Sequence, residues 1–160
     1  MTALFAELRT PLLRYIRHLG LTPADGEDLV QEAFLSLFQH LRNDKAHDNP
    51  RGWLFRVVHN LALRRRAQAG RTVSTAPSQL EGMLAADGAF HPEEDAACAG
   101  EKRRLLAVVQ ALPERDRACL LLRAEGLRYR EIAEALEISL GGVAASLSRS
   151  LGKLAKVYQR

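Results

Sequence analysis

Apolar residues recur every three or four positions through residues 1–70 and again through 101–160, with almost no strict alternation of apolar and polar residues. The first spacing is typical of helices buried along one face, and the second would mark half-buried strands. Residue types that begin helices stand at several of the expected starts. They are Thr22 with Pro23 and Asp25, Asn49 with Pro50, Pro113 with Glu114, and Ser139. The sequence therefore predicts an all-α fold.

The middle of the chain, residues 71–100, collects Ser, Thr, Gly and Pro and shows no sustained helical period. The net charge is +3 over residues 1–70, −4 over 71–100 and +5 over 101–160. Such a composition is typical of a linker. We therefore predict two small basic helical domains, 1–70 and 101–160, joined by an acidic linker over 71–100.

The segment 25–41 is amphipathic. One broad apolar stripe predicts burial against neighbouring helices; it comprises Leu29, Val30, Ala33, Phe34, Leu37, Phe38 and Leu41. The opposite face is polar and surrounds a single apolar residue, Leu35, with Asp28, Gln31, Glu32 and Gln39. A lone exposed leucine is common on protein surfaces, yet this arrangement also fits a docking surface for a basic, partly apolar partner. The pattern alone favours the ordinary surface.

Basic and aromatic residues interleave in the segment that follows Asn49. They are Arg51, Trp53, Phe55, Arg56, His59, Asn60, Arg64, Arg65 and Arg66. Guanidinium groups that pair with phosphates, beside groups that hold unstacked bases, are typical of a surface for single-stranded nucleic acid. Trp53, Val57 and Leu61 follow helical spacing, so we expect these three to face the core.

The spacing over residues 127–154 is that of a helix-turn-helix, preceded by two helices within 102–124 that break at Leu112 and Pro113. We expect Ile132, Ala133 and Leu136 to pack the first helix, Ile138 the turn, and Val143, Leu147, Leu151 and Leu154 the second. Gly142, Ser146, Arg149 and Lys153 share another face, where small and basic side chains can approach a major groove. A solvated basic face is the alternative.

The sequence offers little for catalysis or metal binding. The five histidines have no metal-ligand spacing, Cys98 and Cys119 form no CxxC pair, and Gly141 with Gly142 do not follow a strand as a phosphate-binding loop would. Charged residues interrupt the N-terminal apolar positions, so a signal peptide or membrane span is not expected. We expect a cytoplasmic protein that is not an enzyme and holds no cofactor or metal.

Three stretches carry a resemblance to a known family. DLVQEAFLSLF (28–38) and NPRGWLFRVVHNLALRRR (49–66) resemble conserved region two of the extracytoplasmic-function sigma factors, and ALPERDRACLLLRAEGLRYREIAEALEIS (111–139) resembles region four. The resemblance implies that Asp28, Gln31, Glu32 and Leu35 bind core RNA polymerase. It also implies that the chain directs promoter recognition, DNA melting and transcription initiation.

The resemblance further assigns the DNA contacts. Residues 43–49 and the following helix would recognise the minus-ten element through a flipped base, with Arg56, His59, Asn60, Arg64 and Arg65 as candidates. The minus-thirty-five element would be bound by Arg130, Ser139, Gly142, Ser146, Arg149 and Lys153. Two departures from the family pattern matter: Arg64 stands where an aspartate is common, and Ala144 and Ser146 stand near positions that often carry Lys and Arg.

Two other functions are weighed against this one. A helix-turn-helix regulator would bind duplex DNA alone and use residues 1–70 for dimerisation or sensing, but the basic and aromatic helix after Asn49 disfavours it. A nuclease would need catalytic groups at workable spacing, which the sequence lacks. The resemblance also admits an anti-sigma factor as a further partner, beside core RNA polymerase and promoter DNA.

Overall fold

The computed structural model of the chain describes residues 2–43, 49–69 and 95–159, with the backbone alone for 95–97. All regular structure within these ranges is helical, which confirms the all-α prediction. The helices are α1 (Thr2–His18), α2 (Pro23–Arg42), α3 (Pro50–Gln68), α4 (Asp95–Ala111), α5 (Glu114–Ala124), α6 (Tyr129–Leu136) and α7 (Leu140–Tyr158). The predicted linker lies mostly outside the described residues, but its last part, 95–100, already belongs to α4.

Three of the predicted caps hold helix starts in place. The Thr22 hydroxyl accepts from the Asp25 amide at 3.2 Å, the Asn49 side chain from the Gly52 amide at 3.1 Å, and the Ser139 hydroxyl from the Gly142 amide at 3.0 Å. Each satisfies an amide that has no partner inside its helix, an effect of about 1 kcal/mol. The starts of α2, α3 and α7 are therefore encoded locally.

Helices α1, α2 and α3 pack on one another and form the N-terminal module. Its interior is built on fully buried residues such as Tyr15, Leu37 and Phe55. The apolar stripe of α2 is buried only in part, because Phe38 and Leu41 remain 47% and 41% exposed. The prediction of burial was wrong for these two side chains, which belong to the last two turns of α2.

Helices α4 to α7 form the C-terminal module, in which α4, α5 and α6 all pack against α7. Between α6 and α7, Glu137 adopts a left-handed conformation with φ 56° and turns the chain from one helix to the other. Val143 and Leu147 of α7 are buried as predicted, but Leu151 is 54% exposed. Ser146 and Ser150 are buried instead. The buried face of α7 is thus rotated about the helix axis relative to the purely apolar face that the sequence predicted to be buried.

The two modules are in contact with each other. Helix α3 packs against α6, and α1 touches α5. Buried apolar residues of both modules belong to one contiguous cluster, which extends from Leu8 in α1 to Leu147 in α7. The helices of both modules other than α4 therefore share a common core.

Candidate docking and nucleic-acid interfaces

The four predicted polymerase-binding residues lie together on one exposed face of α2. Asp28, Gln31, Glu32 and Leu35 are all exposed, and Leu35 reaches 63%. Their spacing of three, four and seven residues places them on the same side of an α-helix. Phe38 continues the exposed apolar surface one turn beyond Leu35. Sequence reasoning missed Phe38 by placing it in the core, although its position three residues after Leu35 was a usable signal.

Charges near the start of α2 fall into two groups. Asp25 pairs with Arg65 of α3 at 2.8 Å, and Glu27 pairs with Arg9 of α1. Asp28 and Glu32, in contrast, take part in no ion pair within the described residues. The carboxylates that face solvent are therefore available to a basic partner, and those that face α1 and α3 hold the module together.

The predicted minus-ten residues all lie on α3 but differ in accessibility. Arg56 and Arg64 are exposed, whereas His59, Asn60 and Arg65 are half-buried. The guanidinium of Arg56 pairs with Glu137 of the C-terminal module at 3.1 Å. Arg65 points back to Asp25 at 2.8 Å, so it braces α3 against α2. Residues 44–48 of the predicted recognition loop lie outside the described residues.

His59 is tied to the core of the N-terminal module. Its Nδ1 atom and the hydroxyl of Tyr15 are hydrogen-bonded at 2.7 Å. Burial lowers the pKa of the His59 imidazole, against an opposing effect of Glu114, and burial also raises the pKa of the Tyr15 phenol. Both shifts favour the neutral forms. His59 therefore serves as a neutral hydrogen-bonding group rather than as a cation.

The predicted minus-thirty-five residues differ in how far they are exposed to solvent. Arg130 and Lys153 are exposed, and exposed Ser139 uses its hydroxyl to cap α7. Gly142 is half-buried, and a side chain there would come within 3.1 Å of the Ser139 hydroxyl. Ser146 is 1% exposed and turned into the module.

Arg149 is exposed, yet its guanidinium is engaged within the C-terminal module. It donates to both carboxylate oxygens of Asp116, Nη2 to Oδ1 at 3.0 Å and Nε to Oδ2 at 3.3 Å. These hydrogen bonds from Arg149 hold the pKa of Asp116 below its usual range, although burial acts in the opposite direction. Asp116 was missed by the sequence reasoning, because its partner lies two helices away.

Small residues form an exposed face of α7 beside the predicted DNA-facing residues. Gly141, Ala144, Ala145, Ser148 and Gly152 are exposed. Their small side chains leave the helix backbone open to close approach. Since all five residues are exposed, the other described helices leave this face of α7 uncovered.

The described ranges show neither a metal-binding cluster nor a membrane-spanning helix. Within them, no group of three or more His, Cys, Asp or Glu side chains is arranged to hold a metal ion. The same ranges contain no helix with the length and apolar character that crossing a membrane requires.

Comparison with known proteins gives matches to both modules. The family model for Sigma-70 region 2 matches residues 4–72, and the model for Sigma-70 region 4 matches residues 102–154. The chain is 31% identical over 159 residues to the ECF RNA polymerase sigma factor ShbA of Streptomyces griseus, which covers 94% of this chain and 83% of ShbA. Together the two family models account for most of the chain.

A second relative is much longer than the chain. The probable RNA polymerase sigma factor RfaY of Xanthomonas campestris is 35% identical over 129 residues, which covers 79% of this chain and 32% of RfaY. Among solved structures, the sigma factor RpoE of Bartonella quintana, crystallised with the anti-sigma factor NepR, superimposes with a TM-score of 0.62 at 19% identity. That match covers 99% of this chain and 98% of RpoE and supports the fold. The chain belongs to the extracytoplasmic-function family of RNA polymerase sigma factors.

Proposed function

We propose that the chain binds core RNA polymerase and directs promoter recognition, DNA melting and transcription initiation. The observation that carries this proposal is the continuous exposed face of α2, where Asp28, Gln31, Glu32 and Leu35 stand together. Membership of the sigma family supports it. A stand-alone regulator is disfavoured, because residues 4–72 match Sigma-70 region 2 rather than a dimerisation or sensory domain.

The docking face combines an apolar centre with acidic neighbours, and we extend it to Phe38. Burying a leucine side chain contributes about 1.5–3 kcal/mol, and Leu35 has most of its surface still available for burial. Asp28 and Glu32 supply charge for a basic surface on the polymerase, which favours a correct orientation more than raw affinity. We propose that these residues form the main contact with the core enzyme.

For the minus-ten element, we propose that α3 and the residues before it engage the separated strand. Arg56 and Arg64 would contact phosphates, and Asn60 with His59 would hold a flipped base by hydrogen bonds. Arg65 pairs with Asp25 and so holds α3, which carries this surface, against α2.

For the minus-thirty-five element, we propose that the small-residue face of α7 enters the major groove, with Arg130 and Lys153 contacting the backbone. Ala144 and Ser148 are better placed for base edges than Ser146, which is buried. Cations are few on this face. Affinity would therefore depend on the polymerase, which holds both modules on one promoter and raises their effective concentration.

Four further expectations complete the proposal. The domains are taken as 1–70 and 101–160 around a linker at 71–100, with α4 of the second domain beginning inside the linker at Asp95. The chain acts with the polymerase in the cytoplasm and has no catalytic activity of its own. An anti-sigma factor is a further proposed partner, because the structurally similar RpoE was crystallised with one.

Run-off transcription with purified core polymerase tests the proposal, together with direct measurement of core binding. Leu35→Glu should weaken core binding at least about tenfold, since it removes apolar contact and forces desolvation of a carboxylate. Leu151→Glu is the matched control, because it adds the same charge at a leucine of similar exposure, 54% against 63%. Asn60→Ala should keep core affinity and lose promoter opening. Unchanged core affinity of Leu35→Glu would refute the docking assignment.

A further inference from the structure

Tyr15 and His59 form a hydrogen-bonded pair between α1 and α3. The Tyr15 hydroxyl lies 2.7 Å from Nδ1 of His59, and the two ring centroids are 6.0 Å apart. Tyr15 is 0% exposed, and its ring packs edge-on against Phe55 with the centroids 5.9 Å apart. The hydroxyl is therefore held at a fixed point inside the N-terminal module, next to the helix that we assign to the minus-ten element.

The Tyr15 hydroxyl is the donor in this pair. A buried donor without an acceptor is costly, so the hydroxyl hydrogen needs a partner. Among the described residues, Nδ1 of His59 is the one atom that is hydrogen-bonded to this hydroxyl. Burial raises the pKa of the Tyr15 phenol above its usual range, so the hydroxyl keeps its proton. Nδ1 of His59 is therefore the acceptor.

This arrangement fixes the position of the proton on the His59 ring. Burial lowers the pKa of the His59 imidazole, while Glu114 of α5 acts in the opposite direction and Arg66 of α3 in the same one. A neutral imidazole carries a single N–H group, and an Nδ1 atom that accepts leaves that group to Nε2. His59 is thus a hydrogen-bond donor at Nε2.

The Nε2 atom of His59 and the side-chain amide of Asn60 are both open to a ligand. Within the described residues, neither group is hydrogen-bonded, and the one fully buried polar side-chain atom without a partner is Nε of Arg51. Nε2 and the Asn60 amide therefore reach solvent, although both side chains are half-buried. Exposed Arg56 lies one helical turn earlier on α3.

We infer that Tyr15 is a positioning residue for minus-ten recognition: its buried hydroxyl orients the His59 ring and keeps the ring proton on Nε2, so that His59 donates to an acceptor atom of the captured base. The inference rests on the proposed function, which assigns His59 and Asn60 to that base. A carbonyl oxygen or a ring nitrogen at a base edge can accept this hydrogen bond, whereas an exocyclic amino group cannot. Tyr15 acts through His59, since its own side chain is buried.

Tyr15→Phe tests the inference, because it removes the hydroxyl and keeps the ring that packs against Phe55. Permanganate reactivity of thymines measures promoter opening by the reconstituted holoenzyme, on a DNA fragment that the wild-type holoenzyme transcribes. Tyr15→Phe should lower the opening equilibrium by roughly two- to tenfold, the range of one neutral hydrogen bond, at unchanged core affinity. Tyr158→Phe is the matched control, because it removes the same hydroxyl from a tyrosine that is 64% exposed at the end of α7. Equal opening by these two variants would overturn the inference.

A second substitution distinguishes positioning from a purely structural role of the hydroxyl. His59→Leu leaves no hydrogen-bonding group at this position, so Tyr15→Phe should cause no further loss of opening in that background. His59→Gln in the Tyr15→Phe background supplies an amide donor that can reach the position of Nε2, and it should recover part of the lost opening. A loss from Tyr15→Phe that is equally large with and without His59→Leu would overturn the inference.

Nitrogen-15 NMR of the free chain, with labelled histidine rings, observes the pair directly. The signals of His59 are those that disappear in His59→Leu. At neutral pH we expect a neutral His59 ring with its proton on Nε2. The Nδ1 signal should shift in Tyr15→Phe, because Nδ1 then loses the hydrogen bond that it accepts. A proton on Nδ1, or ring signals unchanged by Tyr15→Phe, would contradict the assignment of Tyr15.

These measurements separate the inference from the proposed function, because the NMR experiment needs neither polymerase nor DNA. If the wild-type chain opens no promoter with core polymerase, the proposed function fails, while the ring signals still decide whether Tyr15 fixes His59 as a donor. If the wild type opens promoters and Tyr15→Phe opens them equally well, the proposed function stands and the role of Tyr15 is refuted.

Discussion

Asp116→Asn tests whether the pair between Asp116 and Arg149 fixes the architecture of the C-terminal module. Asp116 is 3% exposed at the start of α5, and Arg149 reaches it from α7 through two hydrogen bonds. The substitution keeps the size of the side chain and removes its charge. One oxygen remains as an acceptor, while the amide group that replaces the other turns a donor toward the guanidinium donors.

The expected loss of stability is about 2 kcal/mol. Breaking a fully buried ion pair costs about 3–5 kcal/mol, and losing one hydrogen bond to a charged group costs about 1.5–3 kcal/mol. The cost of a lost hydrogen bond applies here, because the Arg149 side chain is 56% exposed and stays solvated when its partner is lost.

Urea unfolding at neutral pH measures the change. With a slope of about 2 kcal/mol per molar urea, the midpoint should fall by about 1 M at an unchanged slope. Asp28→Asn is the matched control. It makes the same substitution at an exposed carboxylate without an ion pair in the described structure, so it should change stability by less than about 0.5 kcal/mol.

The dependence on pH provides a second readout. The pKa of Asp116 is lowered in the folded protein, chiefly by hydrogen bonds from Arg149. A carboxylate with a lowered pKa stabilises the fold fully above its unfolded pKa of about 3.9. That contribution is lost as the pH falls through the lowered pKa of the folded state. The gap between wild type and Asp116→Asn should therefore be full at neutral pH and shrink under strongly acidic conditions.

Two results would refute this reasoning. If Asp116→Asn shifts the urea midpoint no more than Asp28→Asn does, the pair contributes nothing to the fold. If the gap is large but stays constant into strong acid, the loss comes from packing and not from the charge of Asp116. In either case Arg149 would return to the set of candidate DNA contacts without a structural role.

Three further predictions concern single side chains. Leu122→Ala should cost about 2–5 kcal/mol in urea unfolding, because Leu122 is 0% exposed in the shared core; a cost under about 1 kcal/mol would contradict that placement. Asn49→Ala should cost about 1 kcal/mol through loss of the α3 cap and a further amount of about 1.5–3 kcal/mol through loss of the hydrogen bond to Glu131, whereas Asn49→Ser, which can cap, should recover only the first part in urea unfolding. Because burial lowers the pKa of His59, the folded state takes up a proton less readily than the unfolded state, so stability should decline as the pH falls below about 6.5. His59→Gln should reduce that decline in thermal unfolding, and an identical decline would show that other groups cause it.

The features that the sequence predicted well are local ones. The caps at Thr22, Asn49 and Ser139 each join residues three positions apart, so their chemistry is visible in a short stretch of chain. The exposed face of α2 is also local, because the spacing of Asp28, Gln31, Glu32 and Leu35 fixes a common side of any helix that contains them.

Errors arose where a neighbouring helix decides which residues are covered. The wheel gave α7 a face with Leu151 inside and Ser146 outside, and the structure reverses both. Neighbouring helices pack against α7 and bury Ser146 and Ser150. The Ser150 hydroxyl can be buried there because it donates to the Ser146 carbonyl at 2.8 Å. Phe38 was misplaced for the same reason, since hydrophobicity alone does not tell whether a helix extends beyond its neighbours.

The sequence by itself determined the all-α fold, the starts of α2, α3 and α7 and the resemblance to sigma factors, because hydrophobic period and capping act within a few residues. Only the tertiary structure decided that Arg149 holds Asp116 and that Arg14 of α1 pairs with Glu125, just after α5. These contacts join residues 33 to 111 positions apart. Contacts at that separation depend on how whole helices dock, and charge alone does not choose among the many arginines and carboxylates that could pair.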